Sequence, residues 1–574
     1  MIDMVAGPTR RSVLSAGGLV VAASTAAPAA TAVAAPVSPK RARGPRARPL
    51  NILMIVNDQE RSFADIPSAI PLPAHDWLRA RGVSFANYHV NTSPCGPSRA
   101  VMYTGQHTQR TGVYANPNTP PMPELKPDVP TIGTMLRQLG YHTSYKGKWH
   151  VSNVTLGETH GPAEGIFPNA SGALEAYGFS DYNFDGERVG LTWQGFMDDG
   201  VTAADAVNQL RAFRDGAVGD KPWFMAVNFI NPHDIMFFDA VGDGEKSRAR
   251  PNLISPLLPA PGDPIYDVDW KQPLPRSFHD DLTDKPAGHA AINAVGWAFY
   301  GKLPRSNEAA WRNFQNYYFN CIRDANRHVM TVLKALEQSG QLDDTIVVFT
   351  SDHGERAGAH GMRQKGGTIY KEDLRVPFVV VHPDVKGGFS TDALASSVDI
   401  VPTLLALAGQ TDIAEKHPQL KGVDLSSALA GPKARTARDQ RGVLFNYAIR
   451  YGWNAPDAPS GDAETRPLPQ PDLSLRRLFR GVHDGRYKFA RYFAPAQHHT
   501  PTTWEQLRAH NDLELYDTLK DADELKNLAA GPDAPQGEIM RLNAMTNALI
   551  AAEVGKDDGS EYPGPAGQYT TLTA

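Results

Sequence analysis

Cysteine is almost absent from this chain, with two residues, Cys95 and Cys321, in 574. Two cysteines cannot build a disulfide framework, so a disulfide-stapled scaffold is excluded and each thiol needs its own explanation. Long apolar runs are also missing. After the first forty residues no stretch of eighteen or more apolar residues occurs, which excludes a spanning helix there. An excess of one charge is lacking too: 57 Lys and Arg face 62 Asp and Glu, for a net charge of -5. No basic block stands out, which argues against a nucleic-acid partner. Internal repeats are absent.

What is present begins with a different material. Thr9-Arg10-Arg11-Ser12-Val13-Leu14 sets twin arginines before an Ala/Gly/Val stretch, and Ala32-Val33-Ala34 is a small-x-small cleavage signal. The pattern predicts a twin-arginine export signal over 1–34, with an ordinary secretory signal or an Ala-rich tail as alternatives. Export to the periplasm or the medium follows, with no stable membrane anchor. A basic, Pro-rich linker occupies 35–49.

From residue 50, helices alternate with short apolar runs. Asn51–Val56, Trp223–Phe229, Thr345–Thr350 and Val376–Val381 read as strands buried on both faces, and Tyr141–Tyr145 as another. Thr131–Leu139 and Trp311–Leu336 carry helical apolar spacing, and Gly340 stops the second. This predicts an α/β domain over 50–440, a large mostly parallel or mixed sheet sandwiched by helices. Residues 239–307 break the pattern as a long insertion whose aromatics Trp270, Trp297, Phe299 and Tyr300 serve either packing or a substrate pocket. From 441 to 574 the pattern becomes that of a smaller α+β domain. There Leu478–Val482 and Tyr487–Tyr492 form a hairpin about Asp484-Gly485, and Leu513–Tyr516 adds a strand to the antiparallel sheet.

The apolar runs end in chemistry. The first ends in Asp58-Gln59, the strand before the insertion in Asn231-Pro232-His233-Asp234, and the third in Asp352-His353. In open α/β sheets, ligands bind outside the carboxyl ends of the strands. An Asp after a strand is most often a turn or cap; three such ends at one edge are harder to dismiss. Cys95-Gly96-Pro97-Ser98-Arg99, with Pro at +2 and Arg at +4, resembles the recognition motif of formylglycine-generating enzymes. Cys321, on the long helix, reads as a buried small hydrophobe. His142, His160 and His360 read as structural, with His360 alternatively supporting the metal ligands from behind.

With Gly147-Lys148-Trp149-His150 downstream, and Glu514-Leu515-Tyr516-Asp517 near the end, the chain resembles the type I sulfatase family of the alkaline-phosphatase-like superfamily, over Asn51 to about Leu528. The resemblance implies that Cys95 is converted to formylglycine by a formylglycine-generating enzyme and acts as nucleophile. It implies one divalent ion, Ca²⁺ first, with Mg²⁺ or Mn²⁺ as alternatives, held by Asp58, Gln59, Cys95, Asp352 and His353. Arg99 and Lys148 would steady the formylglycine, His150 would help collapse the sulfated intermediate, and His233 and Lys365 would bind sulfate and assist the leaving group. Gln59 stands where many members have aspartate, and His353 where many have asparagine; both also occur in choline-sulfatase-like and phosphonate-hydrolase-like members.

The chemistry argues the same way. A sulfate ester needs a nucleophile, cations on its nonbridging oxygens and a proton for the departing alkoxide. A thiolate would leave an adduct on sulfur with no easy exit, whereas an aldehyde hydrate attacks through one hydroxyl and expels sulfate through the other. Oxygen ligands favour Ca²⁺ or Mg²⁺, and the imidazole leaves room for Mn²⁺. The expected function is hydrolysis of a small-molecule or carbohydrate sulfate ester. A phosphodiester or phosphonate monoester hydrolase is the alternative, and a catalytically dead binder of sulfated ligands the third reading.

Overall fold

The computed structural model describes residues 49–117, 123–154, 172–184, 186–248, 254–449 and 474–559. The export signal, most of the linker and His160 lie outside the described residues. All described residues belong to one compact unit.

A seven-stranded sheet organises the larger part. Its strands are β1 (Asn51–Asp58), β2 (Val83–His89), β3 (His142–Gly147), β4 (Trp223–Pro232), β5 (Thr345–Ser351), β6 (Phe378–Val381) and β7 (Phe389–Ser396), in the order β3-β4-β1-β5-β6-β2-β7. Strands β3, β4, β1 and β5 are mutually parallel, and β6 runs against both β5 and β2. The expected mixed sheet is therefore present. The apolar runs become central strands because both faces are covered. Ile52, Met54 and Val56 enter one core with Phe224, Ala226, Ile346 and Val348. Leu53 and Ile55 enter another with Met225, Val227, Val347 and Phe349. This is the period-two alternation of a pleated strand with apolar neighbours on both sides.

The long helix spans Glu308–Gln338, capped by the Asn307 side chain, which accepts from Ala310 N–H at 3.2 Å. It packs Val329, Val332, Leu333 and Leu336 on the sheet, while its first half builds a third core with the insertion. Cys321 sits in that core, fully buried. A second, antiparallel sheet has the order β11-β10-β9-β8, from β8 (Val443–Tyr447), β9 (Leu478–His483), β10 (Tyr487–Phe493) and β11 (Asp512–Asp517). The helix Gln536–Leu549 covers it through Ile539, Leu542 and Leu549.

Candidate active site

Four adjacent parallel strands deliver their carboxyl ends to one edge. Lys148 and His150 follow β3, His233 follows β4, Asp58 ends β1, and Asp352-His353 follow β5. The chain at the end of β3 requires glycine. Gly147 has φ of 81°, and a Cβ there would collide with the Asn228 carbonyl of β4. Opposite this edge stands the N-terminus of the helix Cys95–Thr104, so Cys95 sits at the positive end of a ten-residue helix. Cys95 through Arg99 are all buried.

Asp58, Cys95, Asp352 and His353 each offer a ligand atom, and these atoms lie within 4.8 Å of one another. Cys95 Sγ is 3.6 Å from Asp58 Oδ1 and 3.1 Å from His353 Nε2. His353 Nδ1 is 3.0 Å from the Gly354 carbonyl, which fixes the proton there and leaves Nε2 facing the cluster. Although burial disfavours charge, Asp352 and the Cys95 thiol hold the His353 imidazole up to about 9. Two carboxylates and an imidazole facing one point beside Cys95 are a donor set that fits one divalent cation.

Cations brace the same cluster. Lys148 Nζ is 2.5 Å from Asp58 Oδ2 and donates to the Val189 carbonyl at 2.7 Å. Arg99 is spent on alignment. Its Nε donates to Asp352 at 2.8 Å, its Nη2 to Asp58 at 3.3 Å, and its Nη1 to the Lys148 carbonyl at 2.9 Å and Asn228 Oδ1 at 3.1 Å. Burial opposes ionisation of Asp58, but Lys148, His233, Arg99 and His353 hold its carboxyl well below the usual range. Burial and the Asp58 charge likewise oppose a thiolate at Cys95, yet Lys148, Lys365 and His353 outweigh them and bring the thiol down. His150 and His233 are kept neutral by burial, then by the charge of Lys148. Gly190 lets the chain pass against the His233 ring, because a Cβ there would overlap the imidazole.

Gln59 is placed differently from the other expected ligands. Its backbone N–H donates to Asp352 Oδ1 at 3.1 Å, its side-chain amide donates to Glu355 at 2.5 Å, and its carbonyl oxygen accepts from Lys365. Lys365 also lies 2.8 Å from Met236 Sδ. His360 faces away from the cluster, bonded to Asp280 at 2.8 Å and stacked on Tyr370. His142 pairs with Asp181 at 2.8 Å, and Trp270 donates to Asn320, both within packing. Three supporting residues escaped the sequence reading: Asn228, which holds Arg99; Glu355, which holds Gln59; and Ser98, whose hydroxyl donates to the Asp352 carbonyl. Glu355 lies three residues after Asp352, and that spacing was the one signal available for it.

Known proteins share this architecture. The fold matches that of a 2-O GAG sulfatase with a TM-score of 0.62 and 22% identity, over 90% of this chain and 94% of that one. A phosphonate monoester hydrolase from Silicibacter pomeroyi matches with a TM-score of 0.61 and 20% identity, over 88% and 96%. In sequence, the arylsulfatase of Volvox carteri is 27% identical over 388 residues, taking in 64% of this chain and 56% of that protein. The Delta 4,5-hexuronate-2-O-sulfatase of Bacteroides thetaiotaomicron is 28% identical over 466 residues, 80% of this chain and 79% of that protein. Arylsulfatase A of Homo sapiens is 26% identical over 530 residues, 86% of each. The Sulfatase family model matches residues 51–410, which run from β1 past the last strand of the large sheet and take in every site residue named above, and the chain belongs to the sulfatase family of sulfuric ester hydrolases.

Proposed function

We propose that the protein hydrolyses sulfate monoesters to an alcohol and inorganic sulfate, with Cys95 carried as formylglycine beside one divalent ion. Asp58, Asp352 and His353 would hold the ion, with Gln59 and the modified Cys95 completing the set. The observation that supports this most is the convergence of three buried ligand residues, Asp58, Asp352 and His353, on Cys95 at a helix N-terminus. An aldehyde at Cys95 supplies, as its hydrate, an oxygen nucleophile and a route for releasing sulfate. A divalent ion supplies positive charge where negative charge gathers, with Ca²⁺ favoured by the carboxylate oxygens and Mg²⁺ or Mn²⁺ as alternatives.

The chain's own residues account for the rest. Lys148 keeps a donor beyond those used on Asp58 and Val189, and presents it to a sulfate oxygen. Arg99 is a positioning residue that locks both aspartates. His150, neutral at rest, accepts the proton released as sulfate departs. An arriving sulfate offsets Lys148 and Lys365, which favours protonated His233 and lets it hand a proton to the leaving alkoxide. Because Cys95 to Arg99 form a buried first turn, a formylglycine-generating enzyme must reach them before folding closes. Export of the folded, loaded enzyme by the twin-arginine route suits that order.

Gln59 supports a second reading. It puts a neutral amide where a third carboxylate would stand, so the site meets its substrate with more positive charge. Singly charged phosphodiesters and phosphonate monoesters are then weaker side substrates. Catalytic efficiency on matched aryl sulfate, phosphodiester and phosphonate esters tests both readings. Sulfate is expected to lead, and Gln59→Asp to depress the phosphorus esters by about tenfold, which corresponds to ~1.4 kcal/mol. A phosphorus ester faster than every sulfate ester would make the phosphorus-ester reading the right one.

A further inference from the structure

One buried cation near the site has no use in the proposed chemistry. Arg248 closes the turn Gly244–Ser247, and its side chain is 0% exposed. Its Nη1 lies 3.3 Å from Glu245 Oε2, but among the described residues the buried Nε and Nη2 have no hydrogen-bond partner. These two nitrogens form the edge of a guanidinium that donates two parallel hydrogen bonds to a carboxylate or sulfate. Leaving such an edge buried and unpaired costs several times the worth of an ordinary hydrogen bond, so the arrangement calls for a partner.

The guanidinium stands beside the turn that carries His233. Arg248 Cζ lies 5.9 Å from the centroid of Phe237, and Phe237 ends the turn His233–Phe237 that begins with His233. Phe237 meets Tyr300 at 5.9 Å, and Arg363 Cζ lies 6.0 Å from the Tyr300 ring. Arg363 donates to the Gly301 carbonyl and, at 3.3 Å, to Gly296, tying the end of the helix Gly288–Tyr300 to the loop that carries Lys365. Lys302 N–H closes the ring on the Ser247 carbonyl at 2.7 Å. Burial pushes Arg248 below the usual guanidinium range, against Glu245 and Tyr300. Burial also brings Arg363 down to about 10, with the Arg248 charge adding to it and Glu355 and Tyr300 opposing. The Tyr300 hydroxyl feels the Cys95 thiol as well as both arginines. Two buried guanidinia thus flank the Phe237–Tyr300 ring pair beside the turn that begins with His233.

We propose that Arg248, with Arg363 beside it, forms a subsite for a second oxyanion, a carboxylate or another sulfate, carried by the substrate apart from the ester being cleaved. This rests on the sulfatase reading and narrows it. Among the alcohols such an enzyme could release, those bearing an acid group are favoured and those bearing a cation, such as choline, are disfavoured.

The test compares kcat/KM for aryl sulfates that differ in one ring substituent: none, a carboxylate, a second sulfate, or a trimethylammonium. The wild-type enzyme is expected to favour an acidic ester over the unsubstituted one by about tenfold or more, mainly through KM, and to handle the cationic ester worst. Whether the carboxylate or the second sulfate leads identifies the oxyanion. Arg248→Met keeps an apolar stem against Phe237 and should collapse the ratio; Arg248→Lys, which keeps charge but loses the fork, should fall between and serves if the Met variant does not fold. A wild-type ratio near one, or a ratio that survives in Arg248→Met, overturns the subsite while leaving sulfatase activity intact. Absence of turnover on every sulfate ester by aldehyde-bearing protein would instead sink the sulfatase reading.

Discussion

The carboxyl edge of the large sheet and the body of the C-terminal sheet both bury charged side chains, and they use them in opposite ways. Around the C-terminal sheet each buried cation named here is consumed by fixed oxygen partners. Arg438 is shared between Asp399 and Glu553, Lys488 ends on Glu524, and Arg480 holds Asp557 through two nitrogens. At the carboxyl edge, Arg99 is consumed in the same manner, but Lys148 and Lys365 keep donors in reserve, as does Arg248 beside the turn from His233. Backbone conformation follows the same divide. Gln59, His150, Ala357, His360 and Gln364 all take positive φ in the loops about the active edge, whereas Glu524 alone does so among the described non-glycine residues of 474–559. Buried charge by itself therefore marks no active site. Convergence on one nucleophile, spare donors and strained loops do.

The sharpest way to break this contrast is at Asp58. Asp58→Asn removes a proposed metal ligand and the partner of Lys148. Expected are loss of the bound divalent ion by elemental analysis and a fall in kcat of about 10³-fold or more. Stoichiometric metal with a normal rate would refute the ligand assignment. At the C-terminal sheet the same kind of change should act on stability alone. Arg438→Met strands Asp399 and Glu553 in the interior, and denaturant unfolding should show a loss of about 3–5 kcal/mol. The rate per folded molecule should not change, and a drop would mean that this region reaches the chemistry.

A smaller effect is expected at Glu514, between the Tyr492 hydroxyl at 2.6 Å and Tyr516. Burial pushes its carboxyl from 4.5 up to about 7 despite those hydrogen bonds. The folded protein keeps a proton that the unfolded chain releases. Its contribution to stability is therefore full below pH 4.5 and is lost as pH rises through about 7. Glu514→Gln keeps the neutral shape, so its stability relative to wild type should rise over that interval by roughly 1–3 kcal/mol. Unfolding midpoints at several pH values check this, and a constant difference would contradict it.

How much of this was legible in the sequence follows from the same physics. Strands β1, β4 and β5 are covered on both faces, so each reads as an unbroken apolar run. Strands β2 and β7 went unread. They lie at one side of the sheet, and Val83–His89 and Phe389–Ser396 interleave Ser, Asn, Thr and Asp with their apolar residues. Strand β8 is five residues long, too short to show a period. At the site, residues that touch the nucleophile sit in short motifs after strands and could be read. Asn228 lies inside an apolar run, and Arg248 lies in an irregular insertion. Their importance comes from which groups the fold leaves beside them, and no local pattern encodes that.

The most direct test of the central claim pairs the chemical state of Cys95 with turnover. Protein made with graded amounts of a formylglycine-generating enzyme would be analysed by mass spectrometry of the Cys95 peptide and assayed on an aryl sulfate in the same preparations. Activity is expected to rise in proportion to the fraction of Cys95 present as aldehyde and to extrapolate to zero for the thiol. Full activity in protein whose Cys95 remains an unmodified thiol would contradict it.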